Sequence, residues 1–409
     1  MNRFTLTHIY NIILTRIERI TNVSNWILKT SVALLLISFI FSPPFSFNLP
    51  FELNPTDIHK CKTCSEQWRW GVNYFTLQFK SPLSQDAQNF LKDKPHEDGF
   101  VSHLDKRWSR ITVPVIAWIF HLNMTYIYLL QVILQVAFLF FAMKFLLNVT
   151  GDKILTFCGG VSLGCIYLSK TFIVDFIHYD SFAFFFLMLA AYQKRPLLSI
   201  PFLILAAFVD ERAVISFPLF YLLRLMTECG TAFTLKDIFK KINILIPFVI
   251  SFTIYNILRF YLKKHLQIHD EYAYSYLGWG RIDLNLKSIP LALFATLEAT
   301  IVLICIPAIV SIFNKKFLFA FLFIGGVLAS LAAAFWVADL SRSINYVFPA
   351  ILISLVFLSK TENIKIVRLV TISVMMFCIF FPAHDFALST VGGESWILPI
   401  FYKMYRTFI

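Results

Sequence analysis

Long runs of apolar residues dominate the chain, and short polar stretches interrupt them at intervals. A helix satisfies all its backbone hydrogen bonds internally, and about 20 apolar residues in a helix cross ~30 Å of hydrocarbon. Several of the runs reach that length. The pattern predicts an all-α polytopic membrane protein with about 11 transmembrane helices, at residues 27–47, 124–147, 154–174, 180–192, 197–209, 212–225, 242–262, 288–313, 317–337, 343–359 and 366–382.

Composition supports this fold class. Of 409 residues, 58% are hydrophobic and 15% are charged, whereas a soluble domain is about half apolar and a quarter charged. The net charge of +12 would also suit a nucleic-acid-binding protein. Most of the bases, however, lie in short loops between apolar runs, where the positive-inside rule of membrane proteins accounts for them. We therefore expect membrane lipids and no nucleic acid among the partners.

Loop charge also predicts the orientation of the chain. With residues 1–26 as a cytoplasmic amphipathic segment, the bases of the short loops fall on the cytoplasmic side. The first apolar run is long and lacks a small-x-small cleavage site, so we expect it to stay as an anchor. Residues 27–382 then form one membrane domain, with outer loops at 48–123 and 263–287. The tail at 383–409 is predicted to be extracytoplasmic.

Three consecutive charges, Asp210, Glu211 and Arg212, separate two apolar runs that are each too short to span a bilayer comfortably. This spacing predicts the outer turn of a short helical hairpin, with its charges below the outer surface. Charged groups at that depth are costly unless they pair or face a protein cavity. Two interpretations follow: an ion-pair clamp between helices, or a set of residues lining a cavity open to the outer leaflet.

A second polar group is the stretch VDFIHYDS at residues 174–181. Asp175, His178 and Tyr179 lie at i, i+3 and i+4, so they would share one face of a helix, and Asp180 lies close to them. Two carboxylates and an imidazole suit a divalent cation such as Mg²⁺ or Mn²⁺, or a general base. The alternative is a set of residues solvated at the membrane interface.

Residues 102–120 read SHLDKRWSRITVPVIAWIF, with Asp105, Lys106, Arg107 and Arg110 crowded at the start. The apolar part is too short for a secure span, which predicts a helix at the outer interface. Such a helix is either a surface anchor or a basic rim that faces a lipid phosphate.

Another outer turn carries Asp339 and Arg342, three residues apart in WVADLSRSINYVFP. Arginine offers a planar fork suited to phosphate. A local salt bridge between the two residues is an equally good interpretation.

Cysteine usage adds one candidate. Cys61 and Cys64 lie in the long outer loop, where a local disulfide is the simplest interpretation. The chain contains no second CxxC that would complete a zinc site, and the other five cysteines are expected to be packing residues.

The sequence lacks familiar nucleotide-binding motifs. It contains no G-x-x-x-x-G-K-[ST] motif, and its longest extramembrane segment covers only some 60 residues. We therefore expect no nucleotide cofactor. A cavity ringed by acids and arginines within lipid instead suits a substrate with an anionic head and a long apolar tail, such as a polyprenyl-phosphate sugar.

The overall plan resembles the GT-C superfamily of membrane glycosyltransferases, which includes protein O-mannosyltransferases and lipid A aminoarabinose transferases. The resemblance rests on eleven predicted crossings, a large first outer loop, RITVPVIAW before the second crossing, and the short hairpin in AAFVDERAVISFPLFYLL. The similarity extends in particular to uncharacterised bacterial members. It implies an integral protein of the bacterial inner membrane, a lipid-linked donor, a catalytic acid in the first outer loop and often a divalent cation. The acceptor would be a glycan, a lipid or a protein.

The chain departs from the family pattern at one point. The acidic pair expected soon after the first crossing is missing, and FELNPTD offers only Glu52 and Asp57. As catalytic acids we rank Asp180 and Asp105 above Asp57. The residues predicted to bind the donor are Arg212, Arg342, Arg110, Arg107 and Lys106. Those predicted to organise the cavity are Asp210, Glu211, Tyr179 and Asp339.

The predicted function is transfer of a sugar on the outer face by inverting displacement, with an acid as base. Two alternatives stay open: a polymerase or ligase of oligosaccharides carried on lipid pyrophosphate, and a lipid or sugar transporter or flippase. A transporter would be expected to carry charged residues in the inner half of the membrane too.

Overall fold

The computed structural model of the protein describes residues 6–41, 66–92, 106–174, 178–266, 289–336 and 340–380. It also gives the backbone of two short antiparallel strands, β1 (Asp385–Ala387) and β2 (Thr390–Gly392). All other regular structure in these ranges is helical.

The helices of the N-terminal half follow the apolar runs and add short segments between α2 and α6. They are α1 (Leu6–Thr21), α2 (Trp26–Phe41), α3 (Glu66–Lys80), α4 (Asp86–Lys92), α5 (Thr112–Ile119), α6 (Met124–Thr150), α7 (Lys153–Cys165), α8 (Tyr167–Val174), α9 (Asp180–Tyr192) and α10 (Ile200–Val209). Short 3₁₀ helices precede α5 and α10, at Lys106–Ser109 and Pro196–Ser199.

The C-terminal half is also built from helices that follow the apolar runs. Its helices are α11 (Arg212–Ile215), α12 (Phe217–Cys229), α13 (Leu235–Lys240), α14 (Ile242–His265), α15 (Ile289–Leu297), α16 (Thr300–Phe313), α17 (Phe317–Phe335), α18 (Leu340–Ile344), α19 (Phe348–Thr361) and α20 (Ile364–Phe380). A 3₁₀ turn, Asn345–Val347, joins α18 to α19, so that 340–361 forms one continuous helical stretch.

Four of the described helical stretches are long and apolar enough to cross a membrane: α6, α14, α17 and 340–361. Three further pairs pass the same test together but are bent, α1 with α2 by 113°, α7 with α8 by 57° and α15 with α16 by 106°. The described residues thus supply between four and seven crossings by length and composition. The protein is an α-helical integral membrane protein, and the eleven crossings stay a prediction.

The centre of the bundle is the stretch 340–361. In its apolar, membrane-spanning part, 83% is buried inside the protein. Phe348, at the start of α19, shows why. Its ring contacts Phe138 of α6, Phe184 of α9 and Phe220 of α12, with ring centroids 5.5–5.8 Å apart. Aromatic rings from three helices therefore close around α19.

Two helices beside this centre are short. Helix α9 has 13 residues and α10 has 10, whereas α6 has 27. At about 1.5 Å per residue, α9 is about 20 Å long and α6 about 40 Å. Helix α9 packs against both α6 and α10, so it can run alongside only part of the longer helix.

Segments of the loop between α2 and α6 pack on the bundle at one end. The hydroxyl of Thr112 in α5 donates a hydrogen bond of 2.8 Å to the carbonyl oxygen of Leu205 in α10. The end of α5 is exposed at Trp118 and Ile119, as is Phe120, which follows it. A helix with one face on the protein and an apolar end free is what an interfacial position requires.

Candidate functional site

Six charged side chains from distant parts of the sequence meet at the ends of the short helices. Three are carboxylates and three are guanidinium groups, and together they form what we call the charge cluster. Its members are Arg110, Asp180, Asp210, Glu211, Arg212 and Arg342.

The hairpin turn predicted between the two short apolar runs is present. Helix α10 ends at Val209, Asp210 adopts an extended conformation, and α11 begins at Arg212. The Oδ1 atom of Asp210 accepts a hydrogen bond from the backbone N–H of Arg212 at 2.9 Å. A short acidic side chain that bonds the backbone two residues on stabilises such a turn.

Arg212 is the most connected residue of the cluster. Its Nε and Nη2 atoms bind the two carboxylate oxygens of Asp210 at 2.7 and 2.6 Å, a fork-to-fork pair. Nη2 also contacts Asp180 Oδ1 at 3.1 Å, and Nη1 donates to the hydroxyl of Ser343 at 2.7 Å. The guanidinium carbon lies 5.4 Å from the ring centroid of Tyr346. Arg212 thus ties α9, α11 and α18 together.

Asp180 is fully buried at the first position of α9. Its Oδ2 atom accepts a hydrogen bond from Arg342 Nε at 2.6 Å, and its Oδ1 atom accepts from Arg212 and from the Tyr346 hydroxyl, the latter at 3.2 Å. Two guanidinium groups stabilise the ionised form of a carboxylate. Asp180 therefore holds the two arginines in place.

Arg110 forms the outer edge of the cluster. Its Nη1 atom lies 2.8 Å from Asp210 Oδ2, and its Nη2 and Nε atoms bind the Glu211 carboxylate at 3.1 and 3.3 Å. The side chain of Asp210 is completely buried, whereas that of Glu211 is 37% exposed. The cluster consequently reaches solvent at Glu211.

Within the described residues, this arrangement is a packed group of ion pairs and not an open cavity. Three positive and three negative groups balance each other at contact distances. Removing one partner from such a group is costly, because it leaves an uncompensated buried charge. The ion-pair clamp that the sequence allows is therefore present, and it brings together four of the residues predicted for donor binding and catalysis.

Two predicted residues lie beside the cluster, under helix α3. Tyr179 is buried in a left-handed conformation with φ of 62°, and its ring packs against Phe75 and Phe79 of α3. Arg107 is buried too, with its guanidinium carbon 5.5 Å from the ring centroid of Phe75. Helix α3 therefore covers this side of the site.

Of the remaining predicted residues, two lie within the described ranges. His178 is half-buried next to Tyr179, and Lys106 opens the 3₁₀ helix before α5. Residues outside the described ranges are Glu52, Asp57, Cys61, Cys64, Asp105, Asp175 and Asp339. No group of three His, Cys, Asp or Glu side chains suited to a metal occurs among the residues that the structure describes. Because Asp175 is not among them, the Mg²⁺ or Mn²⁺ site stays a prediction.

Sequence reasoning missed Ser343 and Tyr346, which complete the cluster. Both follow Arg342 on the same helical stretch, at i+1 and i+4, and their hydroxyl groups bind Arg212 and Asp180. The spacing of Arg342 and Tyr346, which places the two side chains on one helical face, could have indicated Tyr346 from the sequence.

A third overlooked residue is Arg259, the lone arginine within the apolar helix α14. Its Nη1 atom donates to the hydroxyl of Tyr255 at 3.0 Å, and its guanidinium carbon lies 5.9 Å from the ring centroid of Trp108. Tyr255 in turn packs edge-to-face on Phe208 of α10. Among the described residues, no carboxylate forms a salt bridge with Arg259. It is a cation held by aromatic rings and a hydroxyl close to the hairpin.

Comparison with known proteins gives no identification: no protein-family model, no curated protein and no solved structure matches the chain.

Proposed function

We propose that the protein is a membrane glycosyltransferase that moves a sugar from a polyprenyl-phosphate donor to an acceptor hydroxyl on the outer face of the membrane. One observation carries the proposal. Asp180, Arg212 and Arg342 are separated by up to 162 residues in the sequence, yet they meet in one buried group at the ends of short helices. Ionisable groups within a membrane domain are costly and tend to mark functional sites.

Helix length supports a site below the outer surface. In a bacterial inner membrane protein with eleven crossings, the N-terminus would be cytoplasmic and the C-terminus extracytoplasmic. This topology would place the start of α9 and the end of α10 on the outer side. Helices of about 20 Å cannot reach across ~30 Å of hydrocarbon. A donor whose tail stays in the bilayer would meet the charge cluster at that depth.

The reaction requires a base, an anion-binding group and an exit for the phosphate. The acceptor oxygen attacks the anomeric carbon, the bond between that carbon and the phosphate oxygen breaks, and its electron pair leaves with the phosphate. The hydroxyl proton passes to a carboxylate. Because Asp180 is engaged by two arginines, we assign this proton to Asp105 or Asp57 and assign Asp180 to positioning Arg212 and Arg342.

The charge balance of the cluster changes which residues we assign to donor binding. Arg110, Arg212 and Arg342 are each paired with a carboxylate, so the cluster as a whole is neutral. The cation next to it without a carboxylate partner among the described residues is Arg259. We therefore assign first contact with the donor phosphate to Arg259, with Arg110 at the exposed edge of the cluster. A divalent cation, if bound near Asp175 and His178, would add positive charge for the departing phosphate.

The proposal is tested with purified protein in lipid nanodiscs that contain a polyprenyl-phosphate monosaccharide and a mixture of acceptors. We expect release of polyprenyl phosphate and a sugar bonded to an acceptor. Consumption of preassembled oligosaccharide pyrophosphates alone would instead identify a polymerase or ligase. In sealed proteoliposomes, movement of intact donor between leaflets without cleavage would identify a flippase.

A further inference from the structure

A cavity of about 430 Å³ lies away from the charge cluster, between α1, α2, α7, α8 and α20. Apolar side chains form most of its wall, among them Ile20, Ala33, Leu34, Val161 and Met375. A liquid water molecule occupies about 30 Å³ and a methylene is of similar size, so the cavity has room for on the order of fourteen methylenes. Its size and lining suit one hydrocarbon chain.

The mouth of the cavity carries a cation. Lys29 lines the cavity from the first turn of α2, and it is exposed. No carboxylate forms a salt bridge with it in the described part of the chain. Helix α1 meets α2 at 113° and carries two more exposed bases, Arg16 and Arg19, against one acid, Glu18. Lys29 therefore places one positive charge at the edge of the cavity.

One buried charged residue, Lys170, also lines the cavity. Lys170 is buried, and it lies close enough to the buried carboxylate of Glu298 for the two charges to interact. The aliphatic stem of a lysine can line an apolar wall while its ammonium group is directed elsewhere. The cavity thus combines an apolar interior with a basic mouth.

We propose that this cavity binds one acyl chain of an anionic phospholipid whose phosphate is held by Lys29 at the mouth. Basic pockets beside membrane helices attract anionic head groups, and the apolar wall accepts the chain. The lipid would stabilise the packing of α1 and α2 on α7 and α20. This site is independent of the proposed sugar transfer.

The test uses full-length protein that is stripped of lipid in mild detergent and then titrated with phosphatidylglycerol or phosphatidylcholine. Bound lipid is counted by native mass spectrometry, and the midpoint of thermal unfolding is recorded. We expect one phosphatidylglycerol to bind in preference to phosphatidylcholine and to raise the midpoint. Equal binding of the two lipids would overturn the proposal.

Two variants locate the lipid. Ala33→Phe fills the cavity from an exposed position of α2 and should abolish binding, whereas Leu36→Phe, at an exposed position of α2 outside the lining, should not. Lys29→Gln should reduce the preference for phosphatidylglycerol roughly five-fold, the effect expected for one lysine near an anionic surface. Binding that survives Ala33→Phe, or displacement of the phospholipid by polyprenyl phosphate, would contradict the assignment.

Discussion

At the residue scale, the site is defined by how its charges are shared. One carboxylate, Asp180, serves two guanidinium groups and a phenol, and one guanidinium, Arg212, serves two carboxylates and a hydroxyl. In a low-dielectric interior a satisfied network can be worth more than the sum of its pairs, and a buried member left without its partner is costly. Individual substitutions should therefore differ sharply between the buried members and the exposed edge.

Asp180→Asn should destabilise the protein by about 3–5 kcal/mol, because it leaves two buried guanidinium groups without their shared counter-charge. Thermal unfolding in detergent, followed by tryptophan fluorescence, measures this loss. The matched control is Glu211→Gln at the exposed edge, where loss of the pair with Arg110 should cost about 0–1 kcal/mol. Equal unfolding midpoints for the two variants would show that the cluster is not a cooperative buried network.

Arg259→Gln separates donor binding from stability. Arg259 contacts aromatic rings and a hydroxyl and has no carboxylate partner among the described residues, so its removal breaks no ion pair of the cluster. We expect the KM for the lipid-linked donor to rise about ten-fold or more, as for a charge-assisted phosphate contact worth ~1.5–3 kcal/mol, with little change in unfolding. Arg195→Gln, an exposed arginine of a distant loop, is the control and should leave the KM unchanged.

Sequence reasoning identified several members of the charge cluster but not their arrangement. Asp180, Asp210, Arg212 and Arg342 were predictable, because charges that interrupt apolar runs are costly unless they converge. Their mutual pairing was not predictable, because it depends on the rotations and lengths of four helices. Arg259 was overlooked because a single arginine within a long apolar helix gives no motif.

At the scale of the helices, the bends and close contacts decide the packing. The predicted segment 154–174 is two helices bent by 57°, and 288–313 is two helices bent by 106° at Glu298, which has a φ of 48°. Hydropathy alone cannot reveal such breaks, since both sides of each bend are equally apolar. The existence of the apolar segments was predictable, and their internal geometry was not.

Two adjacent glycines of α17 provide a test of helix packing. A Cβ atom at Gly326 would lie 2.8 Å from Leu219 Cδ2 of α12, whereas a Cβ at Gly325 would meet nothing within 4 Å. Gly326→Leu should therefore force α17 and α12 apart and lower the unfolding midpoint, consistent with about 1–3 kcal/mol for overpacking. Gly325→Leu should be neutral or slightly stabilising. Equal effects at the two positions would contradict the contact between α12 and α17.

At the scale of the whole molecule, the class of protein follows from composition but the number of crossings does not. The described helices give four to seven crossings by length, and the difference from eleven lies in helices such as α9 and α10 that are shorter than a standard span. Such helices cross a bilayer only where the protein itself provides the rest of the path. Sidedness must therefore be measured.

Cysteine accessibility tests whether α9 completes a crossing. With α6, the bent pair α7 and α8, and α9 all crossing, His121 and Lys194 lie on opposite sides of the membrane. We expect a membrane-impermeant maleimide to label His121→Cys and Lys194→Cys from opposite sides, above the background of the native cysteines. Lys236→Cys, which follows the hairpin, should be labelled from the same side as Lys194→Cys. Labelling of His121→Cys and Lys194→Cys from one side would remove α9 as a crossing.

The measurement that tests the central claim most directly is photocrosslinking with a polyprenyl-phosphate analogue that carries a diazirine next to the phosphate. Peptide mapping of the crosslinked protein in nanodiscs would locate the head group. We predict crosslinks in the segment from Lys106 to Ile119, in the hairpin between α10 and α11, and in the last turns of α14 around Arg259. Crosslinks confined to the surface of α1, α2 and α20, with none near the charge cluster, would contradict the assignment of this site to sugar transfer.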